Sequence, residues 1–324
     1  MVSSTGIAAL TLGGGMGYLM GKHGLAADNL VSVDIVTGDG QVLTASQDEH
    51  RDLFWAARGA GANFGVVASL EYRLHPVGPT IIGGLVAYPF PAARDVLRRC
   101  RDIAMSLPDE LIAFPALVHA PDGSGTKLVA IALCHCGPPS DGEAATRPFK
   151  RFGSPAIDEI GPMSYCELNA MLDADYPKAA LNYWKSSFLA QLSDGAIDTM
   201  IECFAACPSP LSELALEHVN GAVTRVGIGD TAFPHRAEGY NFLALAQWMD
   251  KADTDRCIAW VRNTYAAMKP FLASSRYVNY LDHDEAADQV AAAYGPNYRR
   301  LQELKVAYDP SNVFHMNQNI RPSS

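Results

Sequence analysis

The stretch TLGGGMGYLM, residues 11–20, constrains the fold of this chain more than any other. It packs four glycines into five positions between apolar residues, so the backbone there must pass where a β-carbon would block it. The pattern begins like the Gly-x-Gly-x-x-Gly turn that holds a dinucleotide phosphate, but Met20 stands in place of the last glycine. Asp34 fits the expected acidic position only loosely, and no clear strand precedes the run. A tight structural turn and a ligand cradle both stay open.

Length and charge narrow the class of protein. A chain of 324 residues predicts about two domains. The 35 acidic and 25 basic residues give a net charge of −10, which disfavours nucleic acid and anionic membranes as partners. No apolar run approaches the ~18 residues of a membrane helix, and the first residues show no secretory pattern. We therefore expect a soluble globular protein.

The cysteines indicate a reducing compartment. Seven of them are scattered along the chain, which is not a disulfide framework, so we expect a cytoplasmic protein. Cys134, His135 and Cys136 are adjacent and lack the spacing of a zinc site. Strand alternation would put both thiols on one face, so the pattern favours buried core residues, and we expect no metal site.

Residues 27–45 predict an antiparallel hairpin around a Gly-Asp-Gly turn. A helix at 48–59 and a second glycine turn leading into a strand follow it. The first 75 or so residues therefore form a compact α+β unit, and Pro76 and Pro79 mark its boundary.

The pattern changes between residues 80 and 275. Helical runs are predicted at 92–106, 194–206 and 253–269. The runs TKLVAIALCHC, YWKSSFLAQL, HVNGAVTRVG and YNFLALAQWMD predict strands between them. Half-polar strands with interspersed helices are typical of an antiparallel sheet covered by helices, and hence of an α+β fold. Residues 284–310 predict a long helix interrupted at Gly295-Pro296.

Four motif groups then occur in a recognisable order. They are STGIAALTLGGGMGYLMGKHGLAADNLVSVDIVTGDG, DLFWAARGAGANFGVV, DTAFPHR, and YVNY with YGPNYRRLQELKVAYDPSNVFHMNQNI. Together they resemble the berberine-bridge-enzyme-like FAD-linked oxidases of the vanillyl-alcohol-oxidase type, over nearly the whole chain. The resemblance implies FAD as cofactor, a small organic substrate (an alcohol, a sugar or a secondary metabolite) that gives a hydride to the flavin, and dioxygen as acceptor. It also implies a residual FAD-binding subdomain at 1–75, a substrate domain at 76–275 and a C-terminal segment at 276–324 that returns to the flavin domain.

The resemblance assigns the two glycine clusters and the C-terminal asparagines to the cofactor. A planar ring and a diphosphate need close amide donors without intervening β-carbons, which agrees with this assignment. The implied cofactor-binding residues are Thr5, Gly6, Leu10, Gly14, Gly15, Asn63, Gly65, Val66, Val67, Asn279, Asn317 and Asn319. For the second cluster, an ordinary loop before a strand is the alternative. For Asn317 and Asn319, the alternative is that they are turn residues after the last helix.

The resemblance also implies the reacting side chains. Tyr277 and Tyr280 are the expected catalytic residues, with a tyrosine taking the substrate proton. The expected substrate wall is Asn241, Leu243, Leu245 and Gln247. Because Leu243 stands where relatives carry a carboxylate or an amide, we expect a tyrosine rather than a glutamate base. The alternative for Tyr277 and Tyr280 is that they are two packed aromatic residues of a strand. The alternative for the substrate wall is an ordinary half-buried strand.

Two departures from the family pattern lead to a second hypothesis about the function. Val2 stands where doubly linked members carry a cysteine, and the segment with the flavin-linking histidine is expected before Met1. We therefore expect no covalent flavin link. The alternative function is a truncated, non-catalytic fragment or scaffold with weak or no FAD binding. Its uncovered apolar face around Ile7, Leu10 and Leu12 would then favour self-association.

Overall fold

A computed structural model describes residues 2–282, 287–316 and 318–323. The helices are α1 (Ile7–Leu12), α2 (Met20–His23), α3 (Arg51–Ala60), α4 (Ala93–Ala104), α5 (Pro139–Thr146), α6 (Tyr165–Ala170), α7 (Asp194–Ala205), α8 (Ala222–Arg225), α9 (Thr254–Met268), α10 (Ala287–Tyr294) and α11 (Tyr298–Tyr308). The strands are β1 (Leu30–Val36), β2 (Val42–Ser46), β3 (Val66–Tyr72), β4 (Ile81–Pro89), β5 (Leu111–His119), β6 (Lys127–His135), β7 (Ile157–Asp158), β8 (Gly161–Met163), β9 (Leu181–Leu189), β10 (Glu213–Val219) and β11 (Gly239–Trp248).

The chain divides into two compact units. The glycine-loop unit comprises residues 5–76, 221–237 and the described residues from 274 onward. The large-sheet unit comprises residues 2–4, 77–220 and 238–273. The domain limits 1–75, 76–275 and 276–324 stay a prediction. The observed division differs from them mainly at 221–237, which clusters with the glycine-loop unit.

The glycine-loop unit is built on a three-stranded antiparallel sheet in the order β2-β1-β3. β1 and β2 form the hairpin predicted for residues 27–45, and Val36 pairs with Val42 beside a turn in which Gly40 has φ +83°. Helix α3 buries Leu53, Phe54 and Trp55 in the core of this unit, together with Leu301 from α11. Burying one such large apolar side chain contributes ~1.5–3 kcal/mol.

The large-sheet unit contains an antiparallel sheet in the order β7-β4-β6-β5-β10-β11-β9, with β8 paired to β4. Helices α4, α7 and α9 pack on one face of it. Leu97, Ile197, Phe242 and Val261 are all fully buried in that core. The predicted α+β class, with an antiparallel sheet covered by helices, is confirmed.

Two glycines with positive φ, Gly221 and Gly295, determine where a predicted strand and a predicted helix are broken. The strand predicted at HVNGAVTRVG is wrong in position, because β10 ends at Val219 and Gly221 has φ +62°, after which α8 begins. The left-handed glycine turns the chain out of the strand. The C-terminal helix is interrupted at Gly295 (φ +46°) as predicted, although its expected first residues, 284–286, lie outside the described residues.

The cysteines of this chain all lie within the described residues and form no disulfide bonds. Cys134, His135 and Cys136 are all buried at the end of β6, and each of the seven cysteines is a free thiol. Within the described ranges, no three His, Cys, Asp or Glu side chains are grouped to hold a metal ion. In the same ranges, every helix is too short or too polar to cross a membrane.

Candidate functional site

The glycine run forms a tight turn at the end of α1. Gly14 and Gly15 have φ +117° and +87°, values that side-chain-bearing residues rarely adopt. A β-carbon on Gly14 would lie 2.7 Å from the Phe233 ring, and one on Gly15 would lie 2.6 Å from the Ala26 methyl group. The carbonyls of Gly14 and Gly15 accept hydrogen bonds from the N–H groups of Ala27 and Ala26, each at 2.9 Å. Conformation and space therefore both require glycine at these two positions.

The hydroxyl of Tyr277 holds this turn from inside the unit. Its oxygen accepts hydrogen bonds from the N–H groups of Gly15 (3.1 Å) and Met16 (3.3 Å) and from the amide of Asn279 (2.9 Å). The Asn279 amide also donates to the carbonyl of Leu10 at 3.0 Å. Tyr277 is 1% exposed, so its hydroxyl is committed to protein donors. The Gly15 N–H is thereby engaged inside the protein.

A cleft of about 220 Å³ opens beside the turn, within the glycine-loop unit. Its lining is mostly small or amide-bearing, and comprises Ala9, Leu12, Gly13, Gly59, Ala60, Ala62, Asn63, Val278, Asn279, Tyr294 and Gln318. The Asn279 side-chain oxygen lies 1.9 Å from the position a β-carbon on Gly13 would occupy. The bare backbone of Gly13 therefore leaves room for the Asn279 amide at the edge of the cleft.

A buried ion pair holds the backbone of Asn63, a residue that lines the cleft. Lys305 is completely buried, and its ammonium donates to the Asp309 carboxylate (2.7 Å) and to the carbonyls of Asn63 (2.7 Å) and Phe314 (2.8 Å). The Asn63 side-chain oxygen in turn accepts from the N–H of Ile320 at 2.9 Å. Burial alone would raise the pKa of Asp309, but the hydrogen bonds from Lys305 and from nearby backbone N–H groups lower it overall. All three ammonium protons are matched by oxygen atoms, so this charge is buried without an unpaired donor.

The DTAFPHR segment supports the turn from the other side. Arg236 is 3% exposed and makes a bidentate pair with Asp28 at 2.7 and 2.8 Å. It also donates to the Thr231 hydroxyl at 2.7 Å. The Phe233 ring packs edge-on against Tyr277, with centroids 5.9 Å apart. The sequence marks this segment only through the family resemblance and does not predict the structural roles of Phe233 and Arg236.

Tyr280 differs from Tyr277 in its surroundings. Its ring is half-buried and packs edge-on against Tyr277, with centroids 4.8 Å apart. It follows Asn279 in a short 3₁₀ turn, Val278–Tyr280. Of the two predicted catalytic tyrosines, Tyr280 is the more accessible. The catalytic role of both tyrosines stays a prediction.

The other predicted cofactor residues are dispersed. Thr5 and Gly6 are exposed where α1 begins and lie outside the cleft lining. Val66 is 60% exposed and Val67 is half-buried, both on β3. A β-carbon on Gly65 would lie 2.6 Å from the Val36 carbonyl oxygen, which explains that glycine by strand packing.

The C-terminal asparagines are described only in part. The side-chain oxygen of Asn319 is buried and has no hydrogen-bond partner among the described residues. Asn317 lies outside the described residues. Asn63 and Asn279 are thus the predicted cofactor residues that line the cleft, and the Leu10 carbonyl accepts a hydrogen bond from Asn279. Gly14 and Gly15 lie outside the lining, in the turn that Tyr277 holds.

The predicted substrate wall lies on β11 in the large-sheet unit. Asn241, Leu243, Leu245 and Gln247 are all buried, on the face opposite the one that packs under the helices. The Asn241 amide donates to the Glu217 carboxylate at 2.7 Å, across the β10–β11 pair. The side-chain oxygen of Asn241 has no partner among the described residues. Polar acceptors are therefore buried on this face.

Sequence reasoning missed the acidic side of this face. Glu217 is 8% exposed, and the Tyr176 hydroxyl donates to Glu213 at 2.6 Å. Burial raises the pKa of Glu213, and burial together with the nearby carboxylates raises that of Tyr176. The alternation in ELALEHV would have placed Glu213 and Glu217 on one face, but the predicted strand began too late to include them. A carboxylate therefore lies beside Asn241 although Leu243 itself carries none.

Comparison with known proteins gives consistent matches. Residues 276–321 match the family model described as "Berberine and berberine like". The chain is 30% identical to the FAD-linked oxidoreductase pgmH of Aspergillus terreus, over 97% of this chain and 68% of that protein. It is 29% identical to (R)-6-hydroxynicotine oxidase of Paenarthrobacter nicotinovorans, over 99% of this chain and 72% of that protein.

Solved structures share the fold. BBE-like #28 from Arabidopsis thaliana superposes with a TM-score of 0.87 at 24% identity, over 100% of this chain and 73% of that one. A crystal structure of 6-hydroxy-D-nicotine oxidase from Arthrobacter nicotinovorans superposes with a TM-score of 0.86 at 26% identity, over 99% of this chain and 72% of that one. The fold and the sequence likeness thus extend over both units.

Proposed function

Because this chain belongs to the berberine-like family of FAD-linked oxidoreductases, we propose that it oxidises a small organic substrate (an alcohol, a sugar or a secondary metabolite) with dioxygen as electron acceptor. The observation that carries the proposal is the cleft of the glycine-loop unit, where Gly13 and Asn279 form one edge. FAD held by the residues of this cleft would supply the redox chemistry, namely acceptance of a hydride from a substrate carbon and reoxidation by dioxygen to give hydrogen peroxide.

The walls of the cleft fit a flat ring with a polar edge. Five lining residues are glycine or alanine, and a β-carbon on Gly59 would lie 2.4 Å from the backbone nitrogen of Phe233. Asn63, Asn279 and Gln318 offer amide donors and acceptors. The volume of about 220 Å³ is below the ~300–1,000 Å³ of sites for drug-sized ligands. These residues would therefore hold one part of FAD, and the flavin ring is the part that suits them.

The two tyrosines take different roles in this proposal. Tyr277 is a positioning residue, because its hydroxyl is buried and bound by Gly15, Met16 and Asn279. Tyr280 takes the proton from the substrate, because its half-buried ring leaves it accessible. Asn319, whose buried oxygen has no partner in the described part of the chain, is proposed to face a polar edge of the cofactor.

The buried acceptors on β11 and β10 favour substrates with hydrogen-bond donors. Asn241 presents an unpartnered oxygen next to the Glu217 carboxylate, and donors on a ligand would satisfy it. Relatives by name include (R)-6-hydroxynicotine oxidase and tetrahydroberberine oxidase, and the solved neighbours include chitooligosaccharide oxidase. We infer a hydroxyl- or amine-bearing substrate that lies against this face.

Flavin reduction tests the function. The purified chain is loaded with FAD and mixed, without oxygen, with a panel of sugars, alcohols and cyclic amines while flavin absorbance is followed. We expect at least one compound to bleach the flavin, and air to restore the colour with formation of hydrogen peroxide. Bound flavin that no donor-bearing compound reduces would support the alternative of a non-catalytic scaffold.

Self-association is a separate part of the proposal. Ile7 on α1 is 55% exposed, beside the half-buried Leu10 and Leu12. A second copy of the chain would cover this apolar side. In sedimentation, Ile7→Lys should remain monomeric at concentrations where the wild type associates. Ile228→Lys, at a position 53% exposed, is the matched control and should associate like the wild type. A cytoplasmic location stays a prediction from the cysteine content.

A further inference from the structure

A polar depression of about 500 Å³ lies on the large-sheet unit and has no part in the proposed oxidation. It is lined by the short 3₁₀ helix Arg147–Arg151 and by residues around β7 and β8. Three of the five residues of this 3₁₀ helix are basic: Arg147, Lys150 and Arg151. All three side chains line the depression.

The backbone that carries these residues is fixed. Phe149 is completely buried, and its carbonyl accepts a hydrogen bond from the Tyr88 hydroxyl at 2.6 Å. The same hydroxyl accepts from the N–H of Phe152 at 3.3 Å. The basic side chains therefore extend from a rigid turn, which lowers the entropy cost of binding a ligand between them.

The charges in the depression are not balanced pair by pair. Lys150 lies 2.9 Å from the Asp158 carboxylate. Arg147 and Arg151 are exposed and form neither an ion pair nor a hydrogen bond with any residue that the structure describes. Glu143 also lines the depression, so three positive side chains meet two negative ones in a chain with a net charge of −10. Two guanidinium groups are left available for an anion.

We propose that this depression binds a phosphate group, either as inorganic phosphate or as part of a phosphorylated metabolite. A guanidinium presents paired N–H donors that match the oxygens of phosphate, and two of them on one turn can engage a dianion together. The floor leaves space for it, because a β-carbon on Gly161 would have no atom within 4 Å. Arg147 and Arg151 make the direct contacts, and Lys150 adds positive charge while it stays paired with Asp158.

Calorimetric titration of the full chain with inorganic phosphate and with glycerol phosphate, at low salt, tests the site. We expect saturable binding of one equivalent, and a loss of at least tenfold in affinity for the double variant Arg147→Gln, Arg151→Gln, equivalent to ~1.4 kcal/mol. The matched control is Arg94→Gln with Arg256→Gln, which removes the same charge from two ion-paired arginines elsewhere on the unit and should bind like the wild type.

A variant that should bind phosphate more tightly excludes the explanation that substitutions merely disturb folding. Asp158→Asn removes the carboxylate that competes for Lys150, so phosphate affinity should rise severalfold. Tighter binding of glycerol phosphate than of inorganic phosphate would identify a phosphorylated metabolite as the ligand, and equal binding would identify phosphate itself. Absence of binding to the wild type, or an equal loss in the control double variant, would overturn the site.

Discussion

The side-chain oxygen of Asn279 lies 1.9 Å from the point that a β-carbon on Gly13 would occupy. Asn279 could not keep this position beside any other residue. From it, the amide reaches both the Leu10 carbonyl and the Tyr277 hydroxyl, and so connects α1 to the C-terminal segment.

Gly13→Ala should therefore displace Asn279 and disturb the cleft. We expect the dissociation constant of FAD to rise at least tenfold, because the amide loses both hydrogen bonds and changes the shape of the cleft edge. Gly229→Ala is the matched control, since a β-carbon there meets no atom within 4 Å. Fluorescence titration with FAD measures both variants. Equal affinities for the two would refute the role of Gly13.

Tyr277→Phe and Tyr280→Phe should separate positioning from catalysis. Tyr277→Phe leaves the N–H groups of Gly15 and Met16 and the Asn279 amide without their buried acceptor. We therefore expect a loss of ~1–3 kcal/mol in the free energy of unfolding. Tyr280→Phe should change that free energy by less than ~0.5 kcal/mol but slow substrate-driven flavin reduction by ~10². Urea unfolding and anaerobic stopped-flow absorbance supply the two readouts. An unchanged reduction rate in Tyr280→Phe would remove this residue from catalysis.

Lys305→Met should be the most damaging substitution considered, because it leaves the carboxylate of Asp309 buried without its cation. The expected loss is ~3–5 kcal/mol in the free energy of unfolding. Adding Asp309→Asn should recover part of it, because the side chain is then neutral and its single amide oxygen can still accept from the backbone N–H of Val313. Lys269→Met, at an exposed position, should stay within ~0.5 kcal/mol of the wild type. A double variant less stable than Lys305→Met would contradict the buried-charge explanation.

Acidification should destabilise the large-sheet unit through His218. Burial lowers the pKa of this imidazole to about 4, and its Nδ1 has no partner within the described residues. In the unfolded chain the imidazole is protonated near pH ~6.5, whereas in the folded chain it is protonated only near pH 4. The free energy of unfolding therefore falls as the pH drops between these two values. The loss should reach ~2 kcal/mol at pH 5, at ~1.36 kcal/mol per pH unit.

His218→Phe keeps a ring against Tyr240 and removes the titration, so its stability should depend less steeply on pH. His315→Gln, at an exposed position, should keep the wild-type slope. Urea midpoints measured from pH 7 to pH 5 compare the three proteins. If the stability of His218→Phe depends on pH as steeply as that of the wild type, the acid sensitivity belongs to other groups.

Local patterns in the sequence predicted much of the fold, because they depend on neighbours along the chain. The hairpin around Gly40, helix α3 and the break at Gly295 each follow from glycine conformation or from apolar periodicity. The strand misplaced at HVNGAVTRVG shows the limit, since only the left-handed backbone of Gly221 decides where β10 ends.

The site was less predictable, because its decisive contacts join residues far apart in the sequence. The resemblance points to Tyr277 as a reacting residue, but the sequence gives no sign that its hydroxyl accepts a hydrogen bond from the N–H of Gly15, 262 residues earlier. Lys305 carried no sequence signal of its role, since the acceptors Asn63 and Phe314 converge on it only in the folded unit. The family resemblance supplied the cofactor, and the structure supplied the reason why Gly13 and Asn279 belong together.

Equilibrium dialysis of FAD against the wild type, Ala9→Trp and Ala8→Trp tests the central claim most directly. Both alanines are exposed on α1, but only Ala9 lines the cleft, so an indole at position 9 should fill it and an indole at position 8 should not. If the cleft is the flavin site, the wild type and Ala8→Trp should each bind one FAD saturably. Ala9→Trp should bind FAD with at least tenfold lower affinity. Binding to Ala9→Trp as tight as to the wild type, or none to the wild type, would contradict it.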